Sequence, residues 1–268
     1  MGSGIAQVIA QASIRTVLTD ADTADLKRSL KAIASRWERQ VATGRCSAED
    51  AAGFQANLSS GTIADAASAD LVIEAIIEKP EPKSSLFKEL APIAPPPTIF
   101  ASNTSSISIS TLGHASGRPE RFVGLHFFNP VPVLPLVEIV RGLETSDVTL
   151  AASKKFAEAI GKSPIVVNDS PGFVANRVLL PMINEAIFAL QDGVAPATSI
   201  DEVMKLGMSH PMGPLALADL IGLDICLDIL ETMHRDFGDD KYRPAPILRR
   251  LVGAGKLGRK SGQGFYEY

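Results

Sequence analysis

The chain has 268 residues, 26 basic against 30 acidic for a formal charge of -4, 46% hydrophobic residues and two cysteines. The length suffices for two hydrophobic cores, and two domains are expected. The near balance of charge, without a long run of one sign, excludes an electrostatic grip on nucleic acid or on a membrane surface, while Cys46 and Cys226 are too few and too far apart for a disulfide framework or a metal cluster.

No apolar run reaches the roughly 20 residues that a membrane-spanning helix needs. The apolar start MGSGIAQVIAQAS has no basic residue before Arg15, unlike a signal peptide. The balance reads as that of a cytoplasmic protein acting on a small molecule, with no metal called for.

From the N-terminus, Gly2 and Gly4 open a helical run to Ala12, and a strand over residues 16–19 leads to Asp20, eighteen positions after Gly2. This is the second half of a dinucleotide-binding βαβ unit. Such a unit holds a pyrophosphate on the N–H groups of a helix N-terminus and places an acid about 20 residues further on against the ribose hydroxyls. The charge of Asp20 favours NAD over NADP. Glycines at a helix start serve equally as caps or close-packing positions, so the spacing alone leaves both readings open. The strand and the first glycines expected ahead of Gly2 are absent. In a doubly wound sheet that strand is central, and its loss leaves two neighbours with unpaired backbone at about 1–3 kcal/mol per buried group. The reading therefore expects Met1 to be an internal methionine, with about a dozen residues ahead of it in the working protein.

Further along, short apolar runs at residues 71–74, 98–101, 122–126 and 136–140 read as strands, and residues 24–42, 82–93 and 146–160 carry helical spacing. Residues 1–168 thus form an α/β, Rossmann-like doubly wound domain. Beyond the turn formers at residues 168–172 the pattern is helical, with runs at 171–190, 200–206, 215–233 and 246–254, giving an all-α domain over residues 169–268.

Three polar clusters fall at or after strand ends, where open α/β sheets bind ligands. They are residues 102–106 (SNTSS), residues 126–130 (HFFNP), and Glu138 within LPLVEIV. A buried carboxylate in an apolar strand needs a partner, and an imidazole is the side chain suited to moving a hydroxyl proton near neutral pH, with a carboxylate on its other nitrogen fixing the tautomer. His126 and Glu138 are the candidates for that pair. A hydrogen-bonded core histidine fits the local pattern of His126 as well, and His114, His210 and His234 read as structural. Asn176, in the first turns of the helix after Pro171, is either a boundary feature or a substrate contact.

SNTSS, HFFNPVP, DSPGFVANR, HPMGPLALADLIGLD and GRKSGQGFYEY occur in this order along the whole chain, which closely resembles the 3-hydroxyacyl-CoA dehydrogenase family, and within it the short-chain bacterial members. The resemblance implies NAD-dependent oxidation of a 3-hydroxyacyl-CoA, with His126 as catalytic base, Glu138 as its orienting acid, and Ser105 and Asn176 binding the reacting oxygen. Beside Gly2 of the glycine-started helix, it assigns Asp20, Glu78, Lys83, Ser105, Asn129 and Lys260 to the cofactor or its surroundings, and Ser29 and Arg36 on the basic helix to coenzyme A. It also implies a homodimer formed through the helical domain. Ser13-Ile14-Arg15 stands where relatives turn with glycine, and Pro80, Pro82 and Pro135 are unusual at their places, so shifts are expected near Glu78, Lys83 and the strand of Glu138. Two alternatives stay open: a sugar-acid or hydroxy-acid dehydrogenase of similar architecture, and a non-catalytic homologue.

Overall fold

The small-residue start folds into α1 (Gly2–Gln11), whose buried residues run almost around the whole helix. The computed structural model describes residues 1–268 as two units, Met1–Asp169 and Ser170–Tyr268. In the first unit, β1 (Thr16–Leu18) is followed by α2 (Thr23–Ala42), α3 (Ala48–Ala56), β2 (Leu58–Ser60) and α4 (Ile63–Ala67). Then come β3 (Leu71–Glu74), α5 (Pro80–Leu90), β4 (Ile99–Ser102), α6 (Ile109–Ala115), β5 (Phe122–Phe127), β6 (Leu136–Arg141), α7 (Asp147–Ala159) and β7 (Ser163–Asn168).

The strands make two sheets. β1 and β2 form a parallel pair, and the other five stand in the order β3-β4-β5-β6-β7. β3, β4 and β5 are parallel, β6 runs antiparallel to β5, and β7 is parallel to β6. The doubly wound α/β expectation therefore holds, with one reversal at β6. β1 and β3 each pair along one edge, and both are largely half-buried.

α1 explains how the small sheet is joined to the large one. Ile5, Val8 and Ile9 pack with Ala101, Val123, Leu125, Phe127 and Ile139 of the five-stranded sheet. Ala6 and Ala10 instead meet Ile33 and Trp37 of α2, with Leu18 of β1 and Leu58 of β2 alongside. A helix apolar on both sides is one that is buried on both sides. After α1 the chain turns through Ser13 at φ 61, so a serine occupies the left-handed conformation that glycine adopts without cost.

The unusual prolines fit where they fall. Pro80 is the first residue of α5, a position where the missing N–H is no loss, and Pro135 precedes β6 while its carbonyl accepts from Ser163 N–H at 2.8 Å. Neither disturbs the pairing of the strand that carries Glu138.

The second unit is all-α: α8 (Ala175–Gln191), α9 (Ala197–Gly207), α10 (Pro214–Ile221), α11 (Leu223–Phe237) and α12 (Pro246–Gly253). Its core gathers Leu180, Ile183, Ile187, Leu215, Leu223, Leu230 and Met233. Two expectations are corrected here. The helix expected from Pro171 starts at Ala175, because Gly172 at φ 77 and Phe173 at φ 49 form a turn closed by Phe173 N–H to the Ser170 carbonyl. The single helix expected over residues 215–233 breaks at Gly222, whose φ of 107 no side-chain-bearing residue adopts easily. Buried Asp201 caps α10 by accepting from Leu215 and Ala216 N–H and from the Tyr266 hydroxyl, and Asp219 accepts from Phe265 and Tyr266 N–H, which straps the C-terminal segment down. No helix of the chain is long and apolar enough to cross a membrane.

Candidate active site

The antiparallel register of β5 and β6 sets His126 directly opposite Glu138, and residues opposed in this way project from the same face of the sheet. Their side chains meet at 2.7 Å between Nδ1 and Oε2, and both are buried. The ring of Phe128 lies 4.6 Å from that of His126, centroid to centroid. The strands are apolar on either side, with Leu125, Phe127, Val137 and Ile139 in the core, so the pair is rigidly placed. A carboxylate on Nδ1 fixes the ring orientation and its tautomer.

Ser105 lies in the turn after β4, and that turn is tied to Glu78. One oxygen of Glu78, Oε1, accepts from the Thr104 hydroxyl at 2.5 Å, from Ser105 N–H at 2.8 Å and from Ser106 N–H at 3.2 Å. Lys83 on α5 is almost fully buried, with its ammonium 2.6 Å from Glu74 and 3.2 Å from Glu78. Burial opposes the charge of Glu78, but Lys83 and the hydrogen bonds from Thr104 and Ser105 outweigh it and hold the carboxyl below its usual range. Asn103 joins the turn to the next strand, accepting from Phe127 N–H at 2.9 Å.

Beside the same strand ends, next to Ala75 and Val131, the N-terminus of α1 has no side-chain cap and no acid in its first turn, which suits an anion. A Cβ on Gly2 would meet only Ala75 at 3.7 Å, whereas one on Gly4 would crowd Val131 at 3.2 Å, so Gly4 is fixed by close packing. Asp20 follows β1 and is exposed, its carboxylate accepting from Asp22 N–H at 2.9 Å. An uncapped helix start and an exposed acid beyond the next strand together fit a dinucleotide.

A cavity of about 510 Å³ brings together Gly4, Gln7, Arg36, Arg39, Arg45 and Asn129. Arg36 donates to Gln7 Oε1 at 3.0 Å. Ser29 is half-buried on α2 and does not line this cavity. In the helical unit, Asn176 sits buried in the first turn of α8, and Lys260 pairs with Asp224 at 2.5 Å.

Sequence reasoning passed over two buried groups. Glu74 closes β3 in LVIE, the same signal of an acid in an apolar strand that pointed to Glu138. Lys162 donates to the carbonyls of Val131 and Leu134, at 2.5 and 2.8 Å, and so braces the loop between His126 and Glu138. Burial pushes its pKa down. Nothing in the short GKSP stretch announces this, because its acceptors are main-chain atoms distant in sequence.

A largely parallel sheet, a glycine-started helix with a following acid, and a buried imidazole–carboxylate pair at one strand pair define an NAD-dependent dehydrogenase of the two-domain, α/β-then-α kind. The family model for "3-hydroxyacyl-CoA dehydrogenase, NAD binding domain" matches residues 1–170, and that for "3-hydroxyacyl-CoA dehydrogenase, C-terminal domain" matches residues 172–268. A Bacillus subtilis protein described as a probable 3-hydroxybutyryl-CoA dehydrogenase is 51% identical over all of this chain and 94% of its own length. A Deinococcus radiodurans protein of the same description is 50% identical over all of this chain and 96% of its own. The crystal structure of (S)-3-hydroxybutyryl-CoA dehydrogenase PaaH1 from Ralstonia eutropha superposes with a TM-score of 0.97 at 46% identity, covering all of this chain and 95% of that one. The chain belongs to the 3-hydroxyacyl-CoA dehydrogenase family.

Proposed function

We propose that the chain interconverts short-chain 3-hydroxyacyl-CoA and 3-ketoacyl-CoA, with 3-hydroxybutyryl-CoA as the favoured substrate, and that His126 and Glu138 are its acid–base pair. The single observation that carries the catalytic part is the 2.7 Å contact between His126 Nδ1 and Glu138 Oε2 across opposed residues of β5 and β6. The relatives described as 3-hydroxybutyryl-CoA dehydrogenases support the short-chain preference.

NAD, when bound, would supply the redox chemistry as acceptor of the hydride from C3. His126 takes the 3-hydroxyl proton as that hydride departs, and in reverse its imidazolium protonates the ketone oxygen. Glu138 holds the ring and stabilises its charged form. The hydroxyl of Ser105 hydrogen-bonds the reacting oxygen, and Asn176 carries the same role in the resemblance. Gly2, Asp20 and Asn129 serve the cofactor, Glu78 and Lys83 set its surroundings, and Lys260 is kept with them. Arg36 and Ser29 serve coenzyme A; the arginines around the 510 Å³ cavity support an anionic ligand there.

The reading includes a homodimer formed by the helical unit, supported by exposed Val178, Val203, Leu206 and Met208. It includes a cytoplasmic location, supported by two free thiols.

The experiment is loss of NADH absorbance on adding acetoacetyl-CoA, with free acetoacetate and NADPH as comparisons. The reading expects oxidation with the thioester and NADH. Equal rates with the free acid would overturn the coenzyme A assignment, and absence of oxidation with any pair would overturn the function.

A further inference from the structure

Glu74, the last residue of β3, is buried to 2% exposure. Three donors reach its carboxylate, each at 2.6 Å: Ile76 N–H and the Lys83 ammonium on Oε1, and the Ser102 hydroxyl on Oε2. Its carbonyl accepts from Asn103 N–H at 2.8 Å. One residue therefore holds the turn after β3 through Ile76, the end of β4 through Ser102 and Asn103, and α5 through Lys83.

What lies beyond those contacts gives them a consequence. Lys83 is also the ammonium beside Glu78, and Glu78 collects the hydroxyl of Thr104 and the N–H groups of Ser105 and Ser106 on one oxygen. Ser102 Oγ, the acceptor for Thr104 N–H at 3.2 Å, ties the same turn a second time. Two routes, one through Ser102 and one through Lys83 and Glu78, lead from the Glu74 carboxylate to the turn that presents Ser105. A carboxylate kept only to neutralise Lys83 would need neither the Ser102 bond nor the Ile76 bond, since Glu78 already lies 3.2 Å from that ammonium.

We propose that Glu74 is a positioning residue for the reaction, its buried carboxylate fixing the 103–106 turn so that the Ser105 hydroxyl meets the reacting oxygen. The proposal rests on the role given to Ser105 above. Glu74 touches neither substrate nor cofactor; it acts on them through Ser105. Glutamine in its place is the same shape but cannot accept all three donors with the same strength, because one of its terminal atoms is itself a donor. Hydrogen bonds to a charged acceptor are roughly twice as strong as neutral ones, so the turn loosens without being deleted.

The test is a cycle of four proteins: wild type, Glu74→Gln, Ser105→Ala and the double variant. Each is assayed for kcat and KM with NADH and acetoacetyl-CoA and checked for thermal midpoint. Glu74→Gln is expected to lower kcat about tenfold, the order expected when an oxygen-binding hydrogen bond is weakened but not removed. In the Ser105→Ala background the same change is expected to cost less than about twofold, because the group it positions has gone. A loss of fold stability alone would repeat its full effect in both backgrounds. Full kcat in Glu74→Gln, or the same tenfold loss with Ser105 absent, would overturn the proposal while leaving the dehydrogenase reading intact. Full kcat in Ser105→Ala alone would overturn the role of Ser105 and the proposal with it. Should Glu74→Gln fail to fold, Ser102→Ala, which cuts the route from Glu74 through Ser102 to Thr104 N–H, enters the same cycle in its place, with the same expected dependence on Ser105.

Discussion

Two buried acid–base pairs stand in one sheet with β4 between them, and they are built for opposite ends. Lys83–Glu74 is closed on itself: Glu74 takes three hydrogen bonds and Lys83 faces a second carboxylate, so both groups are tied into one network. His126–Glu138 joins a carboxylate to an imidazole, the side chain proposed above to move the proton. Both pairs cost desolvation. In the first, that cost is offset by a network that fixes two turns; in the second, it secures the orientation of the ring proposed above as the base. A buried charged pair is thus no indicator of catalysis by itself. What separates the two is what each carboxylate is tied to: Glu74 to two turns and an ammonium, Glu138 to an imidazole ring.

That contrast can be broken by substitution. Glu138→Gln keeps shape but can present a donor to Nδ1, favouring the wrong tautomer, so kcat should fall by about 10²-fold or more with NADH affinity kept; steady-state kinetics with fluorescence titration of NADH checks both. Lys83→Met leaves Glu74 buried without its cation and should cost about 3–5 kcal/mol of stability, while Glu74→Gln with Lys83→Met should recover part of that loss in urea unfolding. No such recovery is expected on pairing His126→Gln with Glu138→Gln in kcat, since the base is missing in both.

Smaller effects sharpen the picture at its edges. Lys162→Met removes the donor to the Val131 and Leu134 carbonyls, and at about 1–3 kcal/mol for a lost buried bond it should lower the thermal midpoint and raise KM for NADH through the loop of Asn129. Glu78 gives a pH signature. Its carboxyl is held below the ordinary value of 4.5 in the folded chain, so its contribution is full above that pH and is lost as the pH falls through the lower folded value. Urea midpoints measured downward from pH 5 should therefore decline less steeply in Glu78→Gln than in wild type.

Much of this was legible in the sequence because the chemistry left local marks. An acid inside LPLVEIV needs a buried partner, and the apolar alternation around it gives the strand. That the partner is His126 depends on antiparallel register, which spacing suggests and only the paired strands display. Glu74 carries the same mark in LVIEAIIE, yet its partners, Ile76 N–H, Ser102 and Lys83, come from three different segments. The break between α10 and α11 was masked because apolar residues continue on both sides of Gly222, and only its positive φ divides them. α3 buries no residue fully and packs only Ala51 and Phe54 against the Trp37 cluster, a face too small to read. β7 begins with Ser-Pro and is exposed or half-buried along its length, which hides a strand from any search for buried runs.

The central claim is that His126 moves the proton. The measurement that meets it most directly is turnover of NADH and acetoacetyl-CoA by His126→Gln, with NADH binding titrated on the same sample. The account predicts a kcat lower by roughly 10² to 10⁴ with binding close to that of the wild type. Turnover near the wild-type rate in a protein that binds NADH normally would contradict it.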